Sequence, residues 1–218
     1  MPDSLTPRID GRSRPHDVER TRAEIMSAAL QVFAEKGLTG ARVDEIAALT
    51  QTTKPALYYH FRSKEELYVA VLEHAYSGIR DMEQSLDLDL THPADAMRRL
   101  VEASFDYHAA NPAWVRLVSI ENIHRARHIE GNPEFSAVNA PIVERLGTIL
   151  QAGERQGEFR TGVDPMTLHW MISSLCFYRV SNRHTWHANF GVDMEAPEQM
   201  AAQRRMTVEA VLSFLRAA

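Results

Sequence analysis

The chain is predicted to be all-α, a short N-terminal three-helix unit followed by a longer helical domain. Two observations carry this expectation. Apolar residues recur at intervals of three and four along most of the 218 residues, the spacing that gathers side chains on one face of a helix. Beyond Pro93 no stretch alternates apolar and polar in the way of a half-buried strand, and closely spaced turn signals are missing.

The first clear element covers residues 17–36, where Ile25, Ala28, Ala29, Val32 and Phe33 share a face and Gly37 supplies the stop. A short second helix, Val43–Leu49, buries Val43, Ile46 and Ala47 and exposes Asp44 and Glu45. Residues 50–52 then turn into a third short helix over 53–60. Neither short helix is stable by itself. Ser63 opens the fourth, and Glu66 three residues later completes a Ser-x-x-Glu capping box. The apolar face of this helix, Leu67, Ala70, Val71, Ala75 and Ile79, runs on towards Leu86. Further helices are expected at about 93–110, 112–130, 140–157, 165–189 and 197–216. Among the boundaries, Asp164-Pro165 stands out as an N-cap followed by proline at the first helical position.

Composition narrows the function classes. The chain is 44% hydrophobic and 24% charged, an ordinary soluble composition, and no apolar run approaches the roughly 20 residues that span a bilayer. The first residues carry no apolar stretch of secretory type, and the single Cys176 excludes an internal disulfide framework. A reducing cytoplasm fits both facts. The net charge of −5 argues against a general polyanion binder, but the charge is unevenly spread. Residues 1–62 hold 9 Lys and Arg against 8 Asp and Glu, and the remainder 15 against 21. Residues 51–64 contain Lys54, Arg62 and Lys64 and no acid, so phosphate contact is expected there. Residues 1–16, rich in Pro and Gly with Arg8, Arg12 and Arg14, read as a flexible arm.

A short second helix followed by a tight turn and a short third is the pattern of a helix-turn-helix, whose later helix enters the DNA major groove. Leu57 points inward and Phe61 closes against the first helix. Lys54, Pro55, Ala56, Tyr58, Tyr59 and His60 are left for a partner. The stretch GLTGARVDEIAALTQTTKPALYYHFRSKEELYVAVL resembles the N-terminal signature of the TetR family of bacterial repressors, over about residues 20–75. The resemblance implies a homodimer on a palindromic operator in double-stranded DNA, with a C-terminal domain that binds a small-molecule effector. Carried over by position, Lys54, Pro55, Ala56 and Tyr59 face base edges, while Arg42, Thr53, Tyr58, His60 and Lys64 hold phosphates. Arg42 suits a helix N-terminus, where both backbone and guanidinium favour phosphate. The sequence departs from the family at Gln51, where Gly is usual, and at Thr52, where an apolar residue usually packs. Gln51 therefore implies either a residue strained at positive φ or a different turn.

The domains implied are the arm, 1–16, a DNA-binding unit, 17–64, and an effector and dimerisation domain, 65–218. Residues 153–172 resemble the family more loosely, near the pyrimidine-utilisation repressor group. Over 168–180 apolar residues occupy nearly every side of a helix, which must then be covered twice. One side would meet the partner subunit, with Val208, Val211, Leu212 and Leu215 of the last helix completing a four-helix interface. Polar groups at core-facing positions, His108, Trp114, Glu121, Tyr178, Asn182 and Trp186, are candidates to line an effector pocket.

The rival reading from another class is a helical metalloenzyme, since Glu121, His124 and His128 fall at i, i+3 and i+7. Its ligand set is incomplete: there is no second Glu-x-x-His and no Cys pair. Serine elbows, phosphate loops and dinucleotide fingerprints are also missing. No catalytic residue, metal or cofactor is expected. A DNA-binding regulator without an effector is the third reading.

Overall fold

The computed structural model describes residues 15–217, and the statements below concern those residues. They form ten helices: α1 Pro15–Gly40, α2 Val43–Leu49, α3 Lys54–His60, α4 Lys64–Ser85, α5 Pro93–Ala110, α6 Pro112–Ile123, α7 Pro133–Arg155, α8 Pro165–Ser181, α9 Arg183–Phe190 and α10 Pro197–Leu215. The expected arm and its arginines lie outside the described residues up to residue 14, and α1 already begins at Pro15.

Gly37, with φ 66° and ψ 177°, breaks the helical backbone of α1 where a stop was expected. Ser63 caps α4 by accepting the Glu66 N–H at 3.0 Å. Glu66 returns the contact one residue earlier than a standard capping box, accepting the Arg62 N–H at 3.1 Å. Asp164 caps α8 by accepting the Thr167 N–H at 2.8 Å, with Pro165 following.

Three apolar clusters hold the helices together. The first joins Ile25, Ala29 and Phe33 of α1, Val43 and Ile46 of α2, Leu57 of α3 and Leu67, Tyr68 and Leu72 of α4, and it also takes in Leu117 of α6 and Phe135 of α7. The DNA-binding unit is thus packed on the larger domain through a shared core. The second cluster unites α5, α7, α8 and α10. The third, smaller, lies between them and contains Ala75, Ile79, Trp114, Val115, Val118 and Val180.

Several expected boundaries are corrected. The helix expected over 112–130 stops at Ile123, because Arg125 and Ala126 take positive φ (61° and 56°) and the Ala126 N–H turns back to the Glu121 carbonyl at 2.9 Å. α7 begins at Pro133 and not at 140: Asn132 caps it by accepting the Glu134 N–H at 3.0 Å, and Pro141 lies inside the helix. The helix expected over 165–189 breaks at Asn182, whose side chain donates to the Tyr178 carbonyl (3.2 Å) and to Ser181 Oγ (2.8 Å), competing with helical backbone bonds. Val208, Val211 and Leu215, expected at a subunit interface, are buried in the chain's own core.

Candidate nucleic-acid interface and ligand-binding interior

The turn between α2 and α3 is set by a left-handed residue. Gln51 has φ 52°, the conformation glycine adopts without cost, so of the two readings of this departure the strained residue is the one found. Around it the Thr50 hydroxyl donates to the Ile46 carbonyl at 3.1 Å, and the Thr52 N–H reaches the Ala47 carbonyl at 3.1 Å. Thr52 is half-buried.

Thr53 then caps α3, accepting the Ala56 N–H at 3.3 Å, with Pro55 in the first turn where a missing N–H is harmless. Leu57 and Phe61 are buried and fasten the helix, and the Arg22 guanidinium covers the Phe61 ring at 5.0 Å. The opposite face is open: Tyr58 is 39% and Tyr59 80% exposed. Arg42, Thr53, Lys54 and Pro55 are also exposed, while Ala56, His60 and Lys64 are half-buried. Lys64 Nζ donates to the Ala41 carbonyl at 3.2 Å, which brings its charge to the residue preceding Arg42. The two acids of α2 are engaged by cations: Lys36 Nζ lies 2.6 Å from Glu45 and Lys54 Nζ 3.4 Å from Asp44. The bond from Lys36 holds the Glu45 carboxyl below its ordinary range.

The pocket candidates separate into two groups. His108, Trp114 and Glu121 are buried. His108 Nδ1 donates to the Ser104 carbonyl at 2.6 Å, and its ring stands 4.8 Å from that of Trp114. Burial first, then the charges of Arg80 and Arg179, lower the His108 pKa to about 4, so the ring is neutral. Glu121 is a structural hub. Tyr68 Oη donates to it at 3.0 Å, the His128 N–H at 2.8 Å, and His128 Nδ1 lies 2.9 Å away. Burial opposes its ionisation, but these bonds outweigh burial and hold the carboxyl below its usual value.

Tyr178, Asn182 and Trp186 are not gathered with the first group. Tyr178 is exposed, and the Trp186 indole donates to its hydroxyl at 3.4 Å; because the helix breaks at Asn182, these residues lie on α9 and the outer side of α8. The proposed metal set fails for a related reason. α6 ends before His124, so Glu121, His124 and His128 share no helix face, and among the described residues no three His, Cys, Asp or Glu are placed to hold a metal ion.

The interior also holds charges that sequence reasoning passed over. Arg80 and Glu83 of α4 are buried and paired at 2.7 Å. Burial raises the Glu83 pKa to about 7 against the pull of Arg80 and Arg145. Arg179 of α8 is buried too, its Nε donating to Gln203 at 2.8 Å and its guanidinium lying over Phe105 at 4.4 Å. A signal was present: Arg80 follows Leu72 and Tyr76, and Glu83 follows Ala75 and Ile79, at steps of four, so both stood on the apolar face of α4.

A three-helix reading head on a separate helical domain defines a DNA-binding transcriptional regulator, not an enzyme. Residues 25–71 match the bacterial regulatory proteins of the tetR family and residues 93–211 the tetracyclin repressor-like C-terminal domain. The chain belongs to the TetR family. It is 36% identical over 181 residues to the transcriptional repressor NicS of Pseudomonas putida, covering 83% of this chain and 85% of that protein. It is 44% identical over 183 residues to the transcriptional regulator RutR of Escherichia coli, covering 84% and 81%; RutR stands for the pyrimidine-utilisation group that the C-terminal half loosely resembles. The structure of the transcriptional regulator SCO4942 from Streptomyces coelicolor superposes with a TM-score of 0.68 at 28% identity, covering 89% of this chain and 98% of that one.

Proposed function

We propose that this regulator is a cytoplasmic homodimeric repressor that binds a palindromic operator and is released from it by a small-molecule effector. α3 enters the major groove, with Lys54, Pro55, Ala56 and Tyr59 towards base edges. Arg42, Thr53, Tyr58, His60 and Lys64 hold the flanking phosphates. The observation that carries this reading is the two-sidedness of α3. Leu57 and Phe61 lock it to the core, while Tyr58 and Tyr59 stand in solvent beside Lys54, an outward face with no structural use in the free protein. The second half rests on the buried polar interior beside Trp114, an environment that a compact core without a ligand has little reason to maintain.

The test is binding of the chain to its own promoter DNA, followed by fluorescence anisotropy. Tyr58→Ala protein, folded and dimeric, is expected to bind about tenfold more weakly or worse. Unchanged affinity would remove the assignment of α3. Addition of candidate metabolites is expected to release the DNA; a regulator without an effector would hold it throughout.

A further inference from the structure

Two nitrogens in the larger domain are shielded from solvent and have no hydrogen-bond partner: Arg80 Nε and Trp114 Nε1. Both are donors, and one is cationic. A buried donor left unpaired is costly and rarely retained without use. The two residues face the same small region. The Trp114 ring lies 5.7 Å from that of Tyr107, 4.8 Å from His108, 6.4 Å from Tyr76 and 6.5 Å from Phe177. Arg80 in turn acts electrostatically on Tyr76, Tyr107 and His108. Since His108 Nδ1 donates to the Ser104 carbonyl, its Nε2 is an acceptor in the neutral ring. The region thus offers two donors, one acceptor and a wall of aromatic rings.

Resting on the reading of a ligand-released repressor, we infer that this region is the effector site and that it takes a small planar carboxylate. Its anionic end meets Arg80 and the Trp114 indole, and its ring lies among Tyr76, Trp114 and Phe177. The charge balance favours an anion over a neutral carbonyl compound. Arg80 and Arg179 face only Glu83 here, and Glu83 engages one nitrogen of Arg80, Nη1. A carboxylate can use both sides of a guanidinium fork, which a single carbonyl oxygen cannot. The aromatic rings meet edge to face at 62–87°, so a ligand enters by parting them. Arg80 is carried by α4, and the same helix places Leu67 and Tyr68 in the core of the DNA-binding unit. Drawing Arg80 towards an anion therefore moves the helix that holds the reading head.

Benzoate and 2-naphthoate serve as probes, with benzamide and 2-naphthamide as their neutral isosteres, on the full-length protein. Calorimetry is expected to show the acids binding about tenfold or more tighter than the amides. The acids also shift one indole N–H resonance of the three tryptophans, the one missing in Trp114→Phe. Arg80→Met is expected to abolish acid binding while operator affinity stays unchanged. The inference is overturned if the amides bind as well as the acids, if Arg80→Met still binds the acids, or if neither acid binds at millimolar concentration. The comparison of acid with amide uses wild-type protein, so it stands even if Arg80→Met does not fold. Release of operator DNA by an uncharged compound, with no binding of acids, would sink this site while leaving the ligand-released repressor intact. A protein that never binds its promoter would sink the repressor reading instead.

Discussion

Lys54 is already engaged before DNA arrives: its ammonium lies 3.4 Å from Asp44, with both side chains about half exposed. At such exposure the pair itself contributes little to stability, but the acid competes with phosphate and repels it. Asp44→Asn is therefore expected to raise operator affinity about threefold to tenfold at low salt, the gain fading as salt is added; anisotropy titrations at two ionic strengths check it. Lys64 acts in the opposite sense. Held at the Ala41 carbonyl beside Arg42, it is placed to neutralise one phosphate, so Lys64→Ala should weaken binding to all sequences alike and reduce the salt slope by about one. Inside the larger domain His108 makes stability depend on pH. Its ordinary value is 6.5, and in the folded protein burial lowers it to about 4, so the unfolded chain takes up the proton more readily. The stability this contributes is complete above pH 6.5 and is lost as pH falls towards 4, on the order of 2 kcal/mol at pH 5. His169, also lowered to about 4 by burial, acts in the same direction. Glu83, raised to about 7 by burial, opposes them by adding stability on the acid side that is lost as pH rises through 7. Two groups outweigh one, so thermal unfolding is expected at lower temperature at pH 5 than at pH 7. His108→Gln, which keeps an N–H for the Ser104 carbonyl, should flatten that difference.

Helix ends differed in how plainly the amino acids announced them. α1, α3, α4 and α8 begin or stop at residues whose local chemistry decides the matter, namely Gly37, Thr53, Ser63 and Asp164. The end of α6 has no such marker. It is decided by tertiary bonds, since the Glu121 carboxylate draws in the N–H and ring of His128, and no spacing rule sees a partner seven residues away across a turn. The outward face of α3 was legible because Leu57 and Phe61 have the period of a packed stripe. The buried Arg80 was passed over because a charge on an apolar face reads as surface until its partner Glu83 is placed. Two element-level substitutions follow from backbone geometry. Gln51 holds a left-handed φ of 52°, so Gln51→Gly should relieve about 1 kcal/mol of strain and raise the melting temperature slightly. At Gly153 in α7 any Cβ would run into the Phe159 ring, which is itself buried where residues 158–160 meet the C-terminal end of α10, with the Arg160 N–H donating to the Leu215 carbonyl at 2.7 Å. Gly153→Ala must push that ring aside and is expected to cost about 1–3 kcal/mol, measurable by chemical denaturation.

At the scale of the molecule, the net charge of −5 leaves DNA affinity to a few local contacts, and one reading head gives too few of them. Two heads about 34 Å apart are needed for consecutive major grooves on one side of the duplex, and something must fix that distance. The larger domain offers a face for this. Along α8 the residues Met166, Trp170, Ser174 and Tyr178 recur every four positions, all exposed, with Trp170 70% exposed, and Met206 of α10 is exposed as well. The opposite side of α8, Leu168, Ile172, Cys176 and Val180, is buried in the chain's own core. An apolar stripe of this kind on a helix already packed on one side is best satisfied by the same stripe of a second copy, since a two-fold pairing sets both reading heads in the symmetry of a palindrome. The interface so placed consists of the outer residues of α8 and α10, not of Val208, Val211 and Leu215. Trp170→Glu puts a carboxylate at its centre. Because Trp170 contributes little to the fold of one subunit, helicity should be retained while sedimentation at micromolar concentration shows a monomer. Operator affinity should then fall by about a hundredfold or more as the linkage between half-sites is lost, leaving weak, salt-sensitive binding of single heads. A Trp170→Glu protein that stayed dimeric and kept its operator affinity would move the interface to another face and leave the α8 stripe without a role.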